Sequence, residues 1–258
     1  MLRQIADAYH ATRKQRDIPW NRWVARPAAA VLLVPLAHTR VTPNQITLLS
    51  LVVFAGAAVL MAVAPGQTGL VLAVIVIELS YVLDCADGQL ARLRGTSTPV
   101  GAHLDFLMDE LKAFLLVAAV GVRLWRFDGS GRWLLEALVA LLAVASAISL
   151  TTFVRRPEYA AAVGQAASTG AGDYGGGFGR LPPSQEPARR SFVAPVIGAV
   201  ESLGRFFVHY PSYLPFVAVA NRIDIFLHVY LAVNAAHTGR SLLAVAHKLG
   251  RPSAPRAS

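Results

Sequence analysis

The sequence has a single cysteine, Cys85, so no disulfide can form within the chain. Set between Asp84 and Asp87, it reads as a small apolar filler. Charge is scarce as well. Asp, Glu, Lys and Arg make up 15% of the 258 residues against 55% hydrophobic residues, whereas soluble domains carry roughly 25% charged residues. That deficit argues for a membrane protein. Acidic residues are the scarcer sign, 15 against 24 Lys and Arg, for a formal net charge of +9. The basic residues are scattered rather than gathered on one polar element, so no nucleic-acid partner is expected. In a membrane protein that excess belongs in cytoplasmic loops and tails, where it also attracts anionic lipid. The opening stretch, MLRQIADAYHATRKQRD, lacks the apolar core of a cleavable signal peptide. No internal repeat is visible. His209, His228, His237 and His247 show no metal-ligand clustering and read as core or interface residues.

What the chain does have is long apolar runs. Residues 1–40 form a cytoplasmic membrane-surface segment, with Arg3, Arg13, Lys14, Arg16, Arg22 and Arg26 beside interfacial Trp20 and Trp23. Pro27 to Ala37 is apolar but too short to span, since a spanning helix needs roughly 20 residues. Thr42-Pro43-Asn44 signals a helix start, a Thr cap followed by proline at the first helical position. The first span then covers Pro43 to Ala64. Pro65-Gly66-Gln67 reads as a turn, and Gly69 to about Leu93 as the second span. Thr96-Ser97-Thr98-Pro99 breaks the helix before a third span, Gly101 to Trp125. Trp133 to Val154 is the fourth, ended by Arg155-Arg156-Pro157. Residues 157–190 are rich in Gly, Ala, Ser and Pro and read as a flexible cytoplasmic loop. A fifth span falls in the second half of 192–220, which is interrupted by Pro195, Pro211 and Pro215. The sixth runs from Ile223 to about Ala246.

The expected fold is all-α and integral to the membrane, six transmembrane helices with an N-terminal amphipathic juxtamembrane segment. Its six-helix domain spans 41–250, and 251–258 is a basic tail. With six spans the basic segments 1–40, 92–94, 155–156, 189–190 and 248–256 share one side. Arg123, Arg126, Arg132 and Arg222 are the exceptions. The positive-inside rule therefore places both termini in the cytoplasm.

The chemistry is concentrated at the junction of the second and third spans. Asp84 and Asp87 are spaced i, i+3, and Asp105 and Asp109 i, i+4, so each pair lies on one helical face. A short turn joins the two helices, which should pack antiparallel with the pairs facing each other near the cytoplasmic surface. Four carboxylates there cannot all ionise without counter-charge, and intramembrane acids are by default functional. Oxygen-only ligands suit a hard ion, Mg²⁺ or Mn²⁺, which keeps waters and binds substrate phosphates. A phosphorylated substrate and phosphoryl-type transfer follow, with one carboxylate left to deprotonate an attacking hydroxyl. Gly88, Ala91 and Gly101 either allow close helix packing or let a flat ligand approach the backbone. Arg92, eight residues after Asp84, shares its face and either binds a phosphate or balances the aspartates.

The pattern D-x-x-D-G-x-x-A-R, eight residues, then G-x-x-x-D-x-x-x-D resembles the signature of the CDP-alcohol phosphotransferase family. Asp84, Asp87, Gly88, Ala91, Arg92, Gly101, Asp105 and Asp109 fill every position. The resemblance implies a phospholipid-synthesis enzyme in which a second alcohol displaces CMP from a CDP-linked alcohol, often CDP-diacylglycerol. It implies that Asp84, Asp87 and Asp105 ligate metal, with two ions the expected number. Asp109 would be general base and a contact of the second ion. Gly88, Ala91, Arg92 and Gly101 would shape the cytidine diphosphate site, approached by Pro43, Asn44 and Thr47. A homodimer is also implied, and a bacterial inner-membrane location is expected.

Other polar residues carry less. Glu78, about one and a half turns deeper than Asp84, is expected to pair with Ser80 or Arg222 or to stay protonated. Lys112, Arg155, Arg156 and Arg205 are candidate contacts for a phosphorylated acceptor such as inositol phosphate or glycerol phosphate. For Lys112 the rival role is to neutralise a carboxylate, and for Arg155 and Arg156 to anchor topology. Three other readings compete. One is a choline- or ethanolamine-type phosphotransferase acting on diacylglycerol. The second is a carboxylate-lined cation or proton transporter, whose acids belong near the bilayer midplane. The third is a structural membrane protein with a buried polar network.

Overall fold

The computed structural model describes residues 2–12, 17–163, 206–207 and 209–249. Among these the regular structure is wholly helical. Helix α1 (Leu2–Thr12) is followed by a π-helical turn (Asn21–Ala25) that runs into α2 (Arg26–Ala37). Then come α3 (Pro43–Val63), α4 (Gly66–Leu93), α5 (Pro99–Asp128), α6 (Arg132–Val154) and the short α7 (Pro157–Ala162). A 3₁₀ turn (Tyr210–Ser212) leads to α8 (Leu214–Val219) and α9 (Ile223–Leu249). Where the fifth span was expected, in the second half of 192–220, the described residues hold the 3₁₀ turn and the six-residue α8, which is too short to cross a membrane by itself. Most of the 157–190 loop and the tail from Arg251 lie outside the described residues.

Helices α3, α4 and α6 are long and apolar enough to cross a membrane. Helices α5 and α9, with 30 and 27 residues, also have the length. Their outward faces fit a lipid solvent. Leu48, Val52 and Val59 on α3, Ile75 and Leu79 on α4, and Leu135, Leu138 and Leu142 on α6 are all exposed.

The start of α3 falls where its cap signal put it. The Thr42 hydroxyl accepts from the Gln45 N–H at 3.3 Å, and the Gln45 carbonyl oxygen accepts from the Thr42 N–H at 2.9 Å. This closed capping box satisfies two otherwise orphaned groups. The same Thr-Pro signal recurs at Thr98-Pro99, where the Thr98 hydroxyl accepts from the Gly101 N–H at 3.0 Å. Helix α5 therefore starts two residues before the expected Gly101, because Thr98-Pro99 caps the helix instead of breaking it. It also runs past Trp125 to Asp128, where Gly129 at φ 76° ends it in the left-handed conformation that favours glycine. Helix α4 begins at Gly66, inside the expected turn. Pro157 starts α7 rather than a loop.

The main core lies between α3, α4, α5, α6 and α9, with Phe54, Leu70, Ile77, Leu116, Val144 and Phe226 fully buried. Close approach of α5 and α6 depends on Gly121, where an added Cβ would lie 2.3 Å from the Ala137 Cβ. Two arginines cap helix ends. Arg94 donates to the carbonyls of Leu36, Thr39 and Val41, joining the end of α4 to the α2–α3 link. Arg123, an exception to the expected charge asymmetry, donates to the carbonyls of Met61, Ala64 and Gly66 at 2.6–2.9 Å. Its charge satisfies the orphaned end of α3, not a loop in water.

The N-terminal segment departs from the expectation of two interfacial tryptophans. Trp23 is exposed, with the Arg22 guanidinium over its ring. Trp20 turns inward and donates its indole N–H to Glu78 at 3.3 Å. This replaces the expected partners of Glu78: Ser80 donates to the Ser50 carbonyl, and Arg222 pairs with Asp224. Helix α2 packs against α4, with Leu33 fully buried.

Candidate active site

The site lies at the end of the bundle where α4 finishes and α3 and α5 begin. Two helix N-termini, with their unpaired N–H groups and positive dipole ends, therefore open on the same side as the acidic residues. Asp84 from α4 and Asp105 and Asp109 from α5 each bring a carboxylate oxygen within 4.8 Å of the others. Asp87 stands beside this group. It is buried, and its carboxylate accepts the hydroxyl of Thr47 on α3. Thr47 has one hydroxyl proton and a second acceptor in reach, the Pro43 carbonyl at 3.1 Å. The charged oxygen is the stronger acceptor.

Lys112, one turn after Asp109 on α5, places its ammonium on Asp84 and 3.5 Å from Asp109. Its side chain is 1% exposed, those of Asp84 and Asp109 10% and 30%. Lys112 therefore pairs with acids from both α4 and α5. Asp109 is the more open of these two acids. One oxygen of Asp105 is buried with no hydrogen-bond partner. A buried carboxylate oxygen without a donor is costly unless something positive meets it. An all-oxygen set with such an orphan fits a hard divalent cation.

The small residues of the signature have a steric reason here. A Cβ on Gly101 would sit 3.3 Å from the Asn44 side-chain oxygen, so glycine lets the first turn of α3 approach the first turn of α5. Gly88 lies under the Arg92 guanidinium. Arg92 donates from Nε to the Thr12 carbonyl at 2.9 Å, while its Nη2 is buried without a partner. Ala91 is half-buried one turn after Asp87. Thr47 thus reaches Asp87 and Asn44 meets Gly101, while Arg92, expected on the face of Asp84, passes Gly88 toward the N-terminal segment.

The basic candidates separate. Arg155 stacks over Phe106 at 5.4 Å, next to Asp105 in sequence. Arg156 lines an open cleft of about 530 Å³ with Glu110, Ile148, Ser149, Thr152 and Phe153. Arg205 lies outside the described residues. Sequence reasoning missed Ser50 and gave Ser80 only as a partner of Glu78. Ser80 donates to the Ser50 carbonyl at 2.7 Å, and the Ser50 hydroxyl lies 3.5 Å from Asp84. The available signal was periodicity, since Ser50 follows Thr47 by three residues and Ser80 precedes Asp84 by four.

A family model described as CDP-alcohol phosphatidyltransferase matches residues 40–179, more than half of the chain. The chain belongs to the CDP-alcohol phosphatidyltransferase family. Membership of this membrane-enzyme family and its apolar helices make it an integral membrane protein. Among relatives, phosphatidylinositol phosphate synthase of Corynebacterium glutamicum is 32% identical over 123 residues, 46% of this chain and 55% of that one. A bifunctional IPC transferase and DIPP synthase of Aquifex aeolicus is 29% identical over 96 residues, 36% of this chain and 21% of that one. The protein of the same description from Rubrobacter xylanophilus is 31% identical over 106 residues, 41% of this chain and 23% of that one. The match thus spans about half of the first relative and under a quarter of the other two. For a CDP-alcohol phosphatidyltransferase, the acidic group at the α4–α5 junction is the natural place for a metal.

Proposed function

We propose that the protein transfers a phosphatidyl group from CDP-diacylglycerol to the hydroxyl of a phosphorylated acceptor alcohol, with release of CMP. The observation that carries this reading is the cluster of Asp84, Asp105 and Asp109 with its one unpartnered oxygen on Asp105. A transporter would be expected to hold such acids near the midplane, whereas these lie in the last third of α4 and the first half of α5. Asp84, Asp87 and Asp105 would hold Mg²⁺ or Mn²⁺, with Asp109 shared by a second ion. The metal would neutralise the diphosphate and the departing CMP.

The remaining steps belong to the chain's own groups. The acceptor hydroxyl attacks the phosphorus that carries the diacylglycerol. The bond from that phosphorus to the bridging oxygen breaks, and CMP leaves with the bond's electrons. Asp109, the more open acid of the Lys112 pairings, takes the hydroxyl proton. Lys112 holds Asp84 and limits repulsion within the group. Arg92, steered by the Thr12 carbonyl and passing over Gly88, offers a buried N–H to the diphosphate. Asn44 and Gly101 form the narrow wall beside the nucleotide, with Pro43 and Thr47 behind it and Ala91 leaving room opposite.

Inositol phosphate is the favoured acceptor. A relative bears the name phosphatidylinositol phosphate synthase, and Arg156 lines an open cleft beside Glu110, the residue after Asp109. Arg155, Arg156 and Arg205 would bind the acceptor phosphate. The reading includes six spans, a surface segment at 1–40, a catalytic domain at 41–250, a basic tail at 251–258 and a homodimer. Both termini and the site face the cytoplasm of a bacterial inner membrane. The test is an acceptor screen with CDP-diacylglycerol and Mg²⁺, following CMP and lipid product by mass spectrometry. Inositol phosphate should give the fastest release. Faster release with serine or glycerol phosphate would remove this acceptor, and no CMP with any acceptor would remove the enzyme.

A further inference from the structure

Helix α4 presents two polar rows. Ser80, Asp84 and Asp87 face α3 and α5. Glu78, Tyr81, Gln89 and Arg92 recur at helical spacing on another face, and each bonds the N-terminal segment. Their partners are the Trp20 indole, the Asn21 side chain, the Arg26 carbonyl and the Thr12 carbonyl. The second row is absent from the family signature except for Arg92, and the proposed reaction does not use Tyr81.

Tyr81 is the hub of this face. Its hydroxyl lies 2.6 Å from Asn21 Oδ1 and 2.7 Å from His209 Nε2. The direction of each bond follows from its neighbours. Asn21 donates its amide N–H to Asp17 at 3.1 Å, so its oxygen faces Tyr81 as an acceptor. Tyr81 has one proton, which goes to that oxygen. His209 must then donate from Nε2 to the Tyr81 oxygen. This leaves His209 Nδ1 to accept from the Ser212 hydroxyl at 2.6 Å. Asp17 ends the chain, also accepting from the Ile18 N–H at 2.9 Å and from the Arg26 guanidinium. A single ordered chain, Ser212 to His209 to Tyr81 to Asn21 to Asp17, thus joins the turn before α8 to the N-terminal segment across α4. It does so one helical turn before Asp84.

We propose that Tyr81 is a positioning residue of the metal-binding turn, fixing the rotation of α4 and with it the placement of Asp84 and Asp87. The inference rests on the reading of these carboxylates as metal ligands. Apolar contacts hold a helix in lipid only weakly about its own axis, because lipid tails are as apolar as the side chains, and directional hydrogen bonds supply what is missing. On one side α4 is held by Ser50 and Thr47 of α3. On the other it is held by the Tyr81 chain. With side chains reaching roughly 5–6 Å from a helix axis, a rotation of about 10° moves a carboxylate by about 1 Å. That is a large error for a constellation of metal ligands.

The test measures Mn²⁺ binding by electron paramagnetic resonance on the purified full-length protein, so that turnover is not the readout. Tyr81→Phe keeps the ring and removes the hydroxyl. It is expected to weaken Mn²⁺ binding about tenfold, the lower range for lost support around metal ligands. His209→Gln, which retains an N–H donor and an oxygen acceptor, should weaken it less. Met61→Ala, a buried site at the far end of α3, lowers thermal stability as a control and should leave Mn²⁺ affinity unchanged. Parent-like affinity in Tyr81→Phe overturns the proposal, as does equal weakening in Met61→Ala, which would mark a general loss of stability. CMP release is read on the same samples. A parent protein that binds Mn²⁺ yet releases no CMP would contradict the enzymatic reading while leaving this comparison intact.

Discussion

The hydroxyl of Thr47 on α3 is donated to the carboxylate of Asp87 on α4, a contact between residues 40 positions apart. It turns Asp87 toward α3 and leaves Asp84, Asp105 and Asp109 as the compact group. A hydrogen bond to a charged group contributes about 1.5–3 kcal/mol. Thr47→Val should therefore raise the Mg²⁺ concentration needed for half-maximal CMP release by about tenfold, the effect expected of outer support to a ligand. Thr47→Ser should restore most of it. An unchanged metal requirement in Thr47→Val would show that this contact does not matter to the site.

Lys112 pairs with both Asp84 and Asp109. Removing one partner of a buried pair costs about 3–5 kcal/mol, because the other charge is stranded. Lys112→Met should lower the melting temperature of the metal-free protein clearly. Added Mn²⁺ should then raise it by more than in the parent, since the ion supplies the missing counter-charge. Equal Mn²⁺-induced shifts in parent and variant would argue against a shared electrostatic site.

Gly121 and Ala137 set the separation of α5 and α6. An added Cβ at 121 would overlap the Ala137 Cβ at 2.3 Å. Gly121→Ala should destabilise the protein by about 1–3 kcal/mol, and Ala137→Gly in the same chain should recover part of that loss. Thermal melts of the two single variants and the double variant give the coupling. Additive losses would mean that the two positions do not touch.

The cleft beside Arg156 is the proposed acceptor site. Arg156→Ala should raise the acceptor KM about tenfold, equivalent to about 1.4 kcal/mol, with the KM for CDP-diacylglycerol unchanged. A rise in donor KM alone would move Arg156 to the nucleotide side.

Much of this was legible in the sequence, for local reasons. The Thr42-Pro43-Gln45 cap is a short-range signal, and α3 starts at Pro43 as expected. The i, i+3 and i, i+4 spacings put each aspartate pair on one helical face. The expected direct antiparallel packing of these two helices is replaced by packing of both α4 and α5 on α3, which brings three of the four acids together. What was not legible depends on contacts distant in sequence. Nothing near Glu78 points to Trp20, 58 residues away, and nothing near Tyr81 points to His209, 128 residues away. Trp20 resembles an interfacial anchor in composition, and only the packing of the N-terminal segment against α4 turns it inward. Arg123 breaks the charge asymmetry because its charge is spent on three carbonyls at the end of α3. Thr98-Pro99 shows a local ambiguity: the same two residues can break a helix or cap one.

The central claim is that the α4–α5 carboxylates form a metal-dependent transferase site with Asp109 as its base. The most direct measurement is CMP release from CDP-diacylglycerol and inositol phosphate by the purified protein, with Mg²⁺ or with EDTA, in parent and Asp109→Asn. The expected result is release that requires Mg²⁺ and falls by about 10²–10⁴ in Asp109→Asn, the range for loss of a general base. Release that persists in EDTA, or proceeds at the parent rate in Asp109→Asn, would contradict it.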